Sequence, residues 1–193
     1  GYASLVLDGD YGEINKDVKE AVSRIFESSK TLANVVEDYL NISRIELGSM
    51  KYYLTEHDIL KIVQDVIGEI EPNIKKAGVE FAFDAVPGSY IALADPDKIK
   101  QVYMNLIDNS VKYTPAGKIT VSLTKENGKI KFSVKDTGIG MRPETITSLF
   151  QKFARAYNAN KTNIHGTGLG LFVAKQIVDA HHGKVWATSE GEE

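Results

Sequence analysis

Four short segments, in a fixed order, carry the residue types that could do chemistry. They are Asn105-Leu-Ile-Asp108-Asn109-Ser-Val-Lys112-Tyr113-Thr114-Pro115, then Asp136-Thr-Gly138-Ile-Gly140-Met141, then Leu149-Phe150-Gln-Lys-Phe153-Ala-Arg155, then Gly166-Thr167-Gly168-Leu169-Gly170-Leu171. Amide oxygens in the first are hard ligands suited to Mg²⁺, an ion that keeps several waters and takes few protein ligands. An ammonium one turn further on suits a phosphate oxygen. In the second, a carboxylate ending a strand can accept from an exocyclic amine, and glycines let backbone approach a flat ring. The fourth opens a helix, where backbone N–H groups and the dipole attract phosphate. Taken in order, the segments point to a pocket for a magnesium nucleotide and to ATP-dependent phosphoryl transfer.

Each segment alone has a plainer explanation. At about 100° per residue, Gln101, Asn105, Asp108, Asn109 and Lys112 fall in a sector roughly 100° wide, with Ile99, Val102, Tyr103, Leu106 and Ile107 on the other side. A solvated face would look similar. Asparagine is, however, a mediocre helix former that surface positions usually replace with Glu, Lys or Gln. The Asp136 segment also fits an ordinary Gly turn with an Asx hydrogen bond. The fourth segment is neither a P-loop, lacking G-K-[ST], nor a dinucleotide fingerprint, since Gly170 follows Gly168 too closely.

The elements that must position these residues follow from periodicity. A helix is expected over Asp58–Lys76, with Ile59, Ile62, Val63, Val66, Ile67 and Ile70 on one stripe. Val79, Phe81 and Phe83 alternate as a strand, and Tyr90–Ala94 is a second short one. Asp97–Tyr113 is a helix. Ile119, Val121 and Leu123 alternate, as do Ile130, Phe132 and Val134, with Asn127-Gly128 between them as a hairpin turn. A helix follows Gly168 to about His182, and Lys184–Thr188 reads as a further strand. Ala154 to His165, without periodicity, reads as a lid whose start Phe150 and Phe153 anchor. The expected fold is α+β: a mixed, mostly antiparallel sheet with helices on one face.

Residues 1–49 read differently. A helix end at Gly1–Leu7 is broken by Asp8-Gly-Asp-Tyr-Gly12. Asn15 caps a second helix, which runs without Pro or Gly to Gly48 and repeats Val18, Val22, Ile25, Leu32, Val36 and Tyr39. One such helix cannot bury its stripe alone, so a bundle partner, a second copy included, is expected.

Composition narrows the classes. The chain has 193 residues, 42% hydrophobic and 25% charged, with a net charge of −3 and both signs interspersed. That argues against nucleic acid as the main partner, which wants a concentrated basic patch. The absence of cysteine excludes a disulfide framework and a thiolate metal site. No apolar run approaches the ~18 residues that span a bilayer. The expected setting is cytoplasmic, as a free protein or the cytosolic part of a longer, membrane-anchored one.

The ordered segments resemble those of the ATP-binding domain of bacterial sensor histidine kinases, in the Bergerat-type ATPase superfamily, over about residues 50–190. Residues 1–49 resemble the end of the family's dimerisation and phosphotransfer domain, a helical hairpin that forms a four-helix-bundle homodimer. The resemblance implies that Asn109 coordinates Mg²⁺ and that Asn105 and Lys112 hold the ATP phosphates. It implies that Tyr113 packs near base or ribose, that Asp136 accepts from the adenine amino group, and that Gly138 and Gly140 shape the adenine slot. It also implies that Arg155 reaches the γ-phosphate. Gly166, Gly168 and Gly170 would wrap the triphosphate, with Thr167, Leu169 and Leu171 in the same box. ATP and Mg²⁺ are the implied cofactors, and a response-regulator receiver domain the implied partner.

Superfamily members that hydrolyse ATP carry Glu where Asn105 stands, and an amide is no general base at neutral pH, which favours transfer to a protein acceptor. The alternatives are a Bergerat-type ATPase and a degenerate nucleotide-binding module. The family's acceptor histidine would precede Gly1, since none of the four histidines, His57, His165, His181 and His182, lies in residues 1–49. A last strand would follow the Ser189 region. His57 reads as a linker or first-turn residue, and His181 and His182 as cationic caps at a helix C-terminus.

Overall fold

In the computed structural model, which describes residues 1–154 and 168–191, Asn15 starts the longest helix by accepting the Val18 N–H on its side-chain oxygen at 2.9 Å. The chain divides into two units, Gly1–Ser49 and Met50–Glu193. The first holds α1 (Tyr2–Asp8) and α2 (Lys16–Glu46). Helix α1 ends at Gly9, whose φ of 90° is the left-handed cap that Gly supplies without strain. On α2, Asp17 in the first turn and Arg44 in the last both complement the dipole. The stripe Val18, Ile25, Leu32, Val36 and Tyr39 is exposed along it.

The second unit runs β1 (Thr55–Asp58), α3 (Ile59–Ala77), β2 (Glu80–Ala85), β3 (Ile91–Ala94), α4 (Pro96–Tyr113), β4 (Lys118–Glu126), β5 (Lys129–Asp136), α5 (Pro143–Ser148) and α6 (Gly170–Ala180). Strand β1 pairs antiparallel with β3. The other three strands lie in the order β2-β4-β5, with β2 parallel to β4 and β4 antiparallel to β5. The β4–β5 turn is Asn127-Gly128, at φ 51° and 78°, the two left-handed residues that a tight hairpin needs. Ile119, Val121 and Leu123 on one face of β4 are fully buried. They meet a helical layer whose buried residues include Val63, Val66 and Ile70 of α3, Val102 and Ile107 of α4, and Val173, Ala174 and Ile177 of α6. Helix α4 packs between α3 and α6 and against β4 and β5. Helices on one face of a mixed sheet is the α+β arrangement that the sequence pattern implies.

Local expectations need correction at three places. His57 is not a linker or helical residue; it lies in β1, paired with Ala92, with its Nε2 2.8 Å from the Thr55 hydroxyl. The strand Thr-Glu-His-Asp has no apolar alternation and is defined only by pairing with β3. Helix α5 was not expected, because six residues are too short for a helical period to show. Lys184–Thr188 alternates in burial, with Val185 and Ala187 half-buried and Trp186 exposed, yet it joins no ladder among the described residues. Period two reports sidedness, whereas a strand is made by its partner.

Ile107 is fully buried on the sheet-facing side of α4. Ile107→Ala should cost roughly 2–5 kcal/mol, read from the denaturant midpoint at unchanged slope. A loss below ~1 kcal/mol would mean that α4 is not clamped as described.

Candidate functional site

Helix α4 begins at Asp95, whose carboxylate accepts from Lys98 N at 3.2 Å, with Pro96 in the first turn. Its apolar face is taken up by the core, and Tyr103 stacks on Phe132 of β5 with ring centroids 4.1 Å apart. Burial pushes the Tyr103 phenol pKa up, so the group stays neutral. The opposite face carries Asn105, Asn109 and Lys112. Asn105 Nδ2 donates to the carbonyl of Gly170, the first residue of α6, at 3.1 Å. A Cβ on Gly170 would lie 3.3 Å from the Asn105 side chain, so glycine allows α6 to approach this closely. With its nitrogen so engaged, the Asn105 amide keeps its oxygen for a ligand. Asn109 lies one turn on, half-buried. Lys112 Nζ pairs with Asp108 at 2.5 Å, and the ammonium has further protons to give.

Asp136 ends β5 with both carboxylate oxygens engaged from the protein side. Oδ1 accepts the Gly138 N–H at 3.0 Å, and Oδ2 accepts the Ser110 hydroxyl at 3.1 Å. The carboxylate is otherwise exposed. Tyr113 contributes its carbonyl, which accepts the Ile139 N–H at 3.1 Å and ties the end of α4 to the glycine turn. The glycines here serve the protein's own close packing. A Cβ on Gly138 would sit 2.2 Å from Tyr113 O, and one on Gly140, at φ 66°, would sit 1.8 Å from Gly191 O. Ser189 completes the crossing, its hydroxyl accepting the Met141 N–H at 2.9 Å.

Ser110, Thr114 and Ser189 were not found from the sequence. Thr114 is buried to 1% exposure, and its Oγ1 has no hydrogen-bond partner. That oxygen and Asp136 Oδ1 each lie 2.9 Å from where a Gly138 Cβ would be. The one available signal was position. Ser110 lies about 180° around α4 from Gln101, a polar residue on the core side.

The fourth segment is described only in part. Gly168, at φ 69°, sits against the backbone of residues 153–154, where its Cβ would be 2.8 Å from Ala154 O. Leu169 is buried, and Gly170 and Leu171 are half-buried at the start of α6. Leu169, at the N-cap of α6, has no side-chain oxygen and makes no side-chain cap hydrogen bond. Lys152 Nζ lies 5.2 Å from the Phe172 ring centroid, joining the third segment to α6. Phe150 is half-buried. Phe153 is 70% exposed at φ 61°, so core packing does not explain it. Arg155, Gly166, Thr167, His165 and most of the expected lid lie outside the described residues.

His181 corrects another expectation. Its Nδ1 is 2.7 Å from the Ile177 carbonyl, and its Nε2 accepts the Asp95 N–H at 2.9 Å. A carbonyl only accepts and a backbone N–H only donates, so the imidazole is the neutral Nδ1–H tautomer, not a cationic cap. Tyr52 packs edge-on against this ring at 5.9 Å, and the Tyr53 N–H donates to Asp95 Oδ2 at 3.0 Å. Burial, then the Asp95 charge, raises the Tyr52 pKa. The network joins the start of the second unit to the N-terminus of α4 and the C-terminus of α6.

The described residues hold no cluster of three or more His, Cys, Asp or Glu. A magnesium ion held mainly by phosphates and water needs no such cluster, and the neutral amides of Asn105 and Asn109 fit that donor set. The exposed acceptor at Asp136 and the first turn of α6 fit the two ends of a purine nucleotide.

Residues 94–193 match the family model described as "Histidine kinase-, DNA gyrase B-, and HSP90-like ATPase". The chain is 27% identical over 96% of its length to the circadian input-output histidine kinase CikA of Synechococcus elongatus. It is 28% identical over 98% of its length to the sensor protein SrrB of Staphylococcus aureus. It spans 25% and 32% of those proteins respectively. The crystal structure of full-length ShkA in complex with AMPPNP superposes over 99% of this chain and 40% of that one, with a TM-score of 0.78 and 25% identity.

Gly140 combines a left-handed φ with a backbone crossing. Gly140→Ala should displace residues 189–191 and lower stability by at least the roughly 1–2 kcal/mol that a left-handed L-residue costs. Thermal unfolding would report it, and an unchanged midpoint would mean that the crossing is not made in solution.

Proposed function

We propose that this chain, which belongs to the histidine kinase-, DNA gyrase B- and HSP90-like ATPase family, works as the Mg-ATP-binding catalytic core of a two-component sensor histidine kinase. The observation that carries this reading is the pairing of two arrangements on one helix. At its C-terminal end, α4 supplies the Ser110 donor to the exposed Asp136 carboxylate. At its middle it presents asparagine amides beside the N-terminal start of α6. The spacing separates base recognition from phosphate binding, as a nucleoside triphosphate requires. The relatives named histidine kinase or sensor protein, and the AMPPNP bound by ShkA, support the same reading.

In this mechanism Asp136 accepts from the 6-amino group of adenine, and Gly138 and Gly140 hold the turn that presents it. Tyr113 packs near the base or ribose. Asn105 and Lys112 position phosphate oxygens, and the α6 start, with Gly168 to Leu171, takes up their negative charge through backbone N–H groups. Arg155, Gly166 and Thr167 would complete the phosphate contacts. Asn109 would hold a magnesium ion, which when bound would supply neutralisation of phosphate charge. Asn105 cannot take a proton from water, so catalysis is positioning of the γ-phosphoryl for a protein nucleophile.

The acceptor we propose is a histidine outside this chain, on an earlier part of the hairpin helix that would finish at α1. Both ring nitrogens of His181 are committed within the fold, which makes it unsuited to the role. Residues 1–49 are proposed as the later part of the dimerisation and phosphotransfer hairpin, with the exposed stripe of α2 meeting a second copy. A receiver-domain aspartate of a response regulator would take the phosphoryl group next. Among the described residues no helix is long and apolar enough to cross a membrane; we propose a cytoplasmic setting.

Calorimetric titration with ATP tests the reading. Binding strengthened by Mg²⁺ with negligible turnover is expected, and rapid hydrolysis would move the chain to the ATPase side of its family. Asp136→Ala removes a charge-assisted hydrogen bond and should weaken ATP by roughly 10- to 150-fold, or about 1.5–3 kcal/mol. An unchanged dissociation constant would sink the adenine assignment.

A further inference from the structure

Ser110 is a buried hydroxyl on the core-facing side of α4, among positions otherwise given to Ile99, Tyr103 and Ile107. A polar group there needs a partner. Its partner is the outermost carboxylate of β5: Ser110 Oγ donates to Asp136 Oδ2 at 3.1 Å. The second donor, Gly138 N–H, reaches the other oxygen, Oδ1, at 3.0 Å. Asp136 is thus held at both oxygens from within the protein, with the rest of the carboxylate exposed. Thr114, the other hydroxyl nearby, is buried without a partner, so among the described residues it is the serine that makes a side-chain hydrogen bond to this group.

We infer that Ser110 is a specificity-determining positioning residue, which fixes the plane of the Asp136 carboxylate and keeps it an acceptor, so that the site takes a 6-amino purine and rejects a 6-oxo or 6-unsubstituted one. The inference rests on the adenine reading of Asp136 proposed above and deepens it. A hydroxyl has one proton to give. Spent on Oδ2, it fixes the carboxylate's orientation and leaves its remaining lone pairs to accept. An exocyclic amine donates to such a group, whereas a 6-oxo group meets it acceptor to acceptor. A freely rotating carboxylate would lose part of the hydrogen bond to the amine but keep contacts made elsewhere on the nucleotide. The effect of losing Ser110 is therefore confined to the 6-position.

The test is calorimetric titration of wild type and Ser110→Ala with Mg-ATP and with the magnesium complex of purine riboside triphosphate, which lacks the 6-amino group. Alanine is a good helix former, so α4 should persist. Wild type should prefer ATP. In Ser110→Ala that preference should fall roughly two- to tenfold, from loss of one hydrogen bond, with affinity for the unsubstituted analogue unchanged. Ser110→Thr, which keeps the hydroxyl, should restore it. An ATP preference the same in wild type and Ser110→Ala would overturn the inference. Equal weakening of both nucleotides would overturn it too, by showing that the serine only shapes the slot. A wild type that binds both nucleotides equally would instead remove the adenine reading itself, a failure visible without any variant.

Discussion

One hydrogen bond governs the geometry of the site: the Asn105 amide donating to the Gly170 carbonyl at 3.1 Å. It joins the middle of α4 to the first turn of α6, and so sets where the α6 amides lie relative to the asparagine face. Glycine at 170 eases this contact, since a Cβ there would lie 3.3 Å from the Asn105 side chain. It has a fixed reference because α4 is immobilised from behind by Val102, Ile107 and the Tyr103–Phe132 stack. Core packing and site geometry are thus two faces of one helix. At the far ends, the Asp95–His181 hydrogen bond repeats the device, tying the N-terminus of α4 to the C-terminus of α6. Two separated ties between the same helices resist rotation about either one.

A second constraint operates at the C-terminal end of α4. The turn after β5 is threaded under Tyr113 O on one side and under Gly191 O on the other. Side chains at positions 138 and 140 would strike protein backbone before they met any ligand. The glycines therefore place the Asp136 carboxylate by letting three chain segments converge on it. Thr137 belongs to the same knot, its hydroxyl accepting the Lys118 N–H at 3.0 Å while its own N–H donates to Lys118 O. Rigidity around the carboxylate comes from short backbone contacts and not from bulk.

Much of this was legible in the sequence because it rests on periodicity and caps. Asn15 reads as a side-chain cap and the stripes of α3 and α4 announce their buried faces, whereas the caps at Asp58 and Asp95 emerge only from the structure. Asn127-Gly128 marks its own turn. Elements defined by pairing were not legible: β1 has no alternation to read, and the alternation of Lys184–Thr188 has no ladder to match. For the site, residue type on a helical wheel located the outward-facing asparagines. It passed over Ser110, because the same wheel assigns that direction to the core and gives no sight of a carboxylate arriving from β5. Likewise the tautomer of His181 depends on Asp95, a neighbour 86 residues away, so the helix C-terminus alone suggested a cation.

The identity of residue 105 links fold to chemistry more tightly than either requires alone. The α4–α6 tie needs a donor opposite the Gly170 carbonyl. An ionised carboxylate at 105 would set acceptor against acceptor, losing the hydrogen bond and adding repulsion at a half-buried position. A carboxylate at 105 would therefore have to do without this tie between α4 and α6. The same amide that closes the helix pair cannot itself take a proton from water. In the proposed kinase such an amide would help orient a phosphoryl group, and the nucleophile would arrive already competent, as a neutral imidazole nitrogen does. In that reading one asparagine serves both the α4–α6 contact and transfer to a protein acceptor in preference to water.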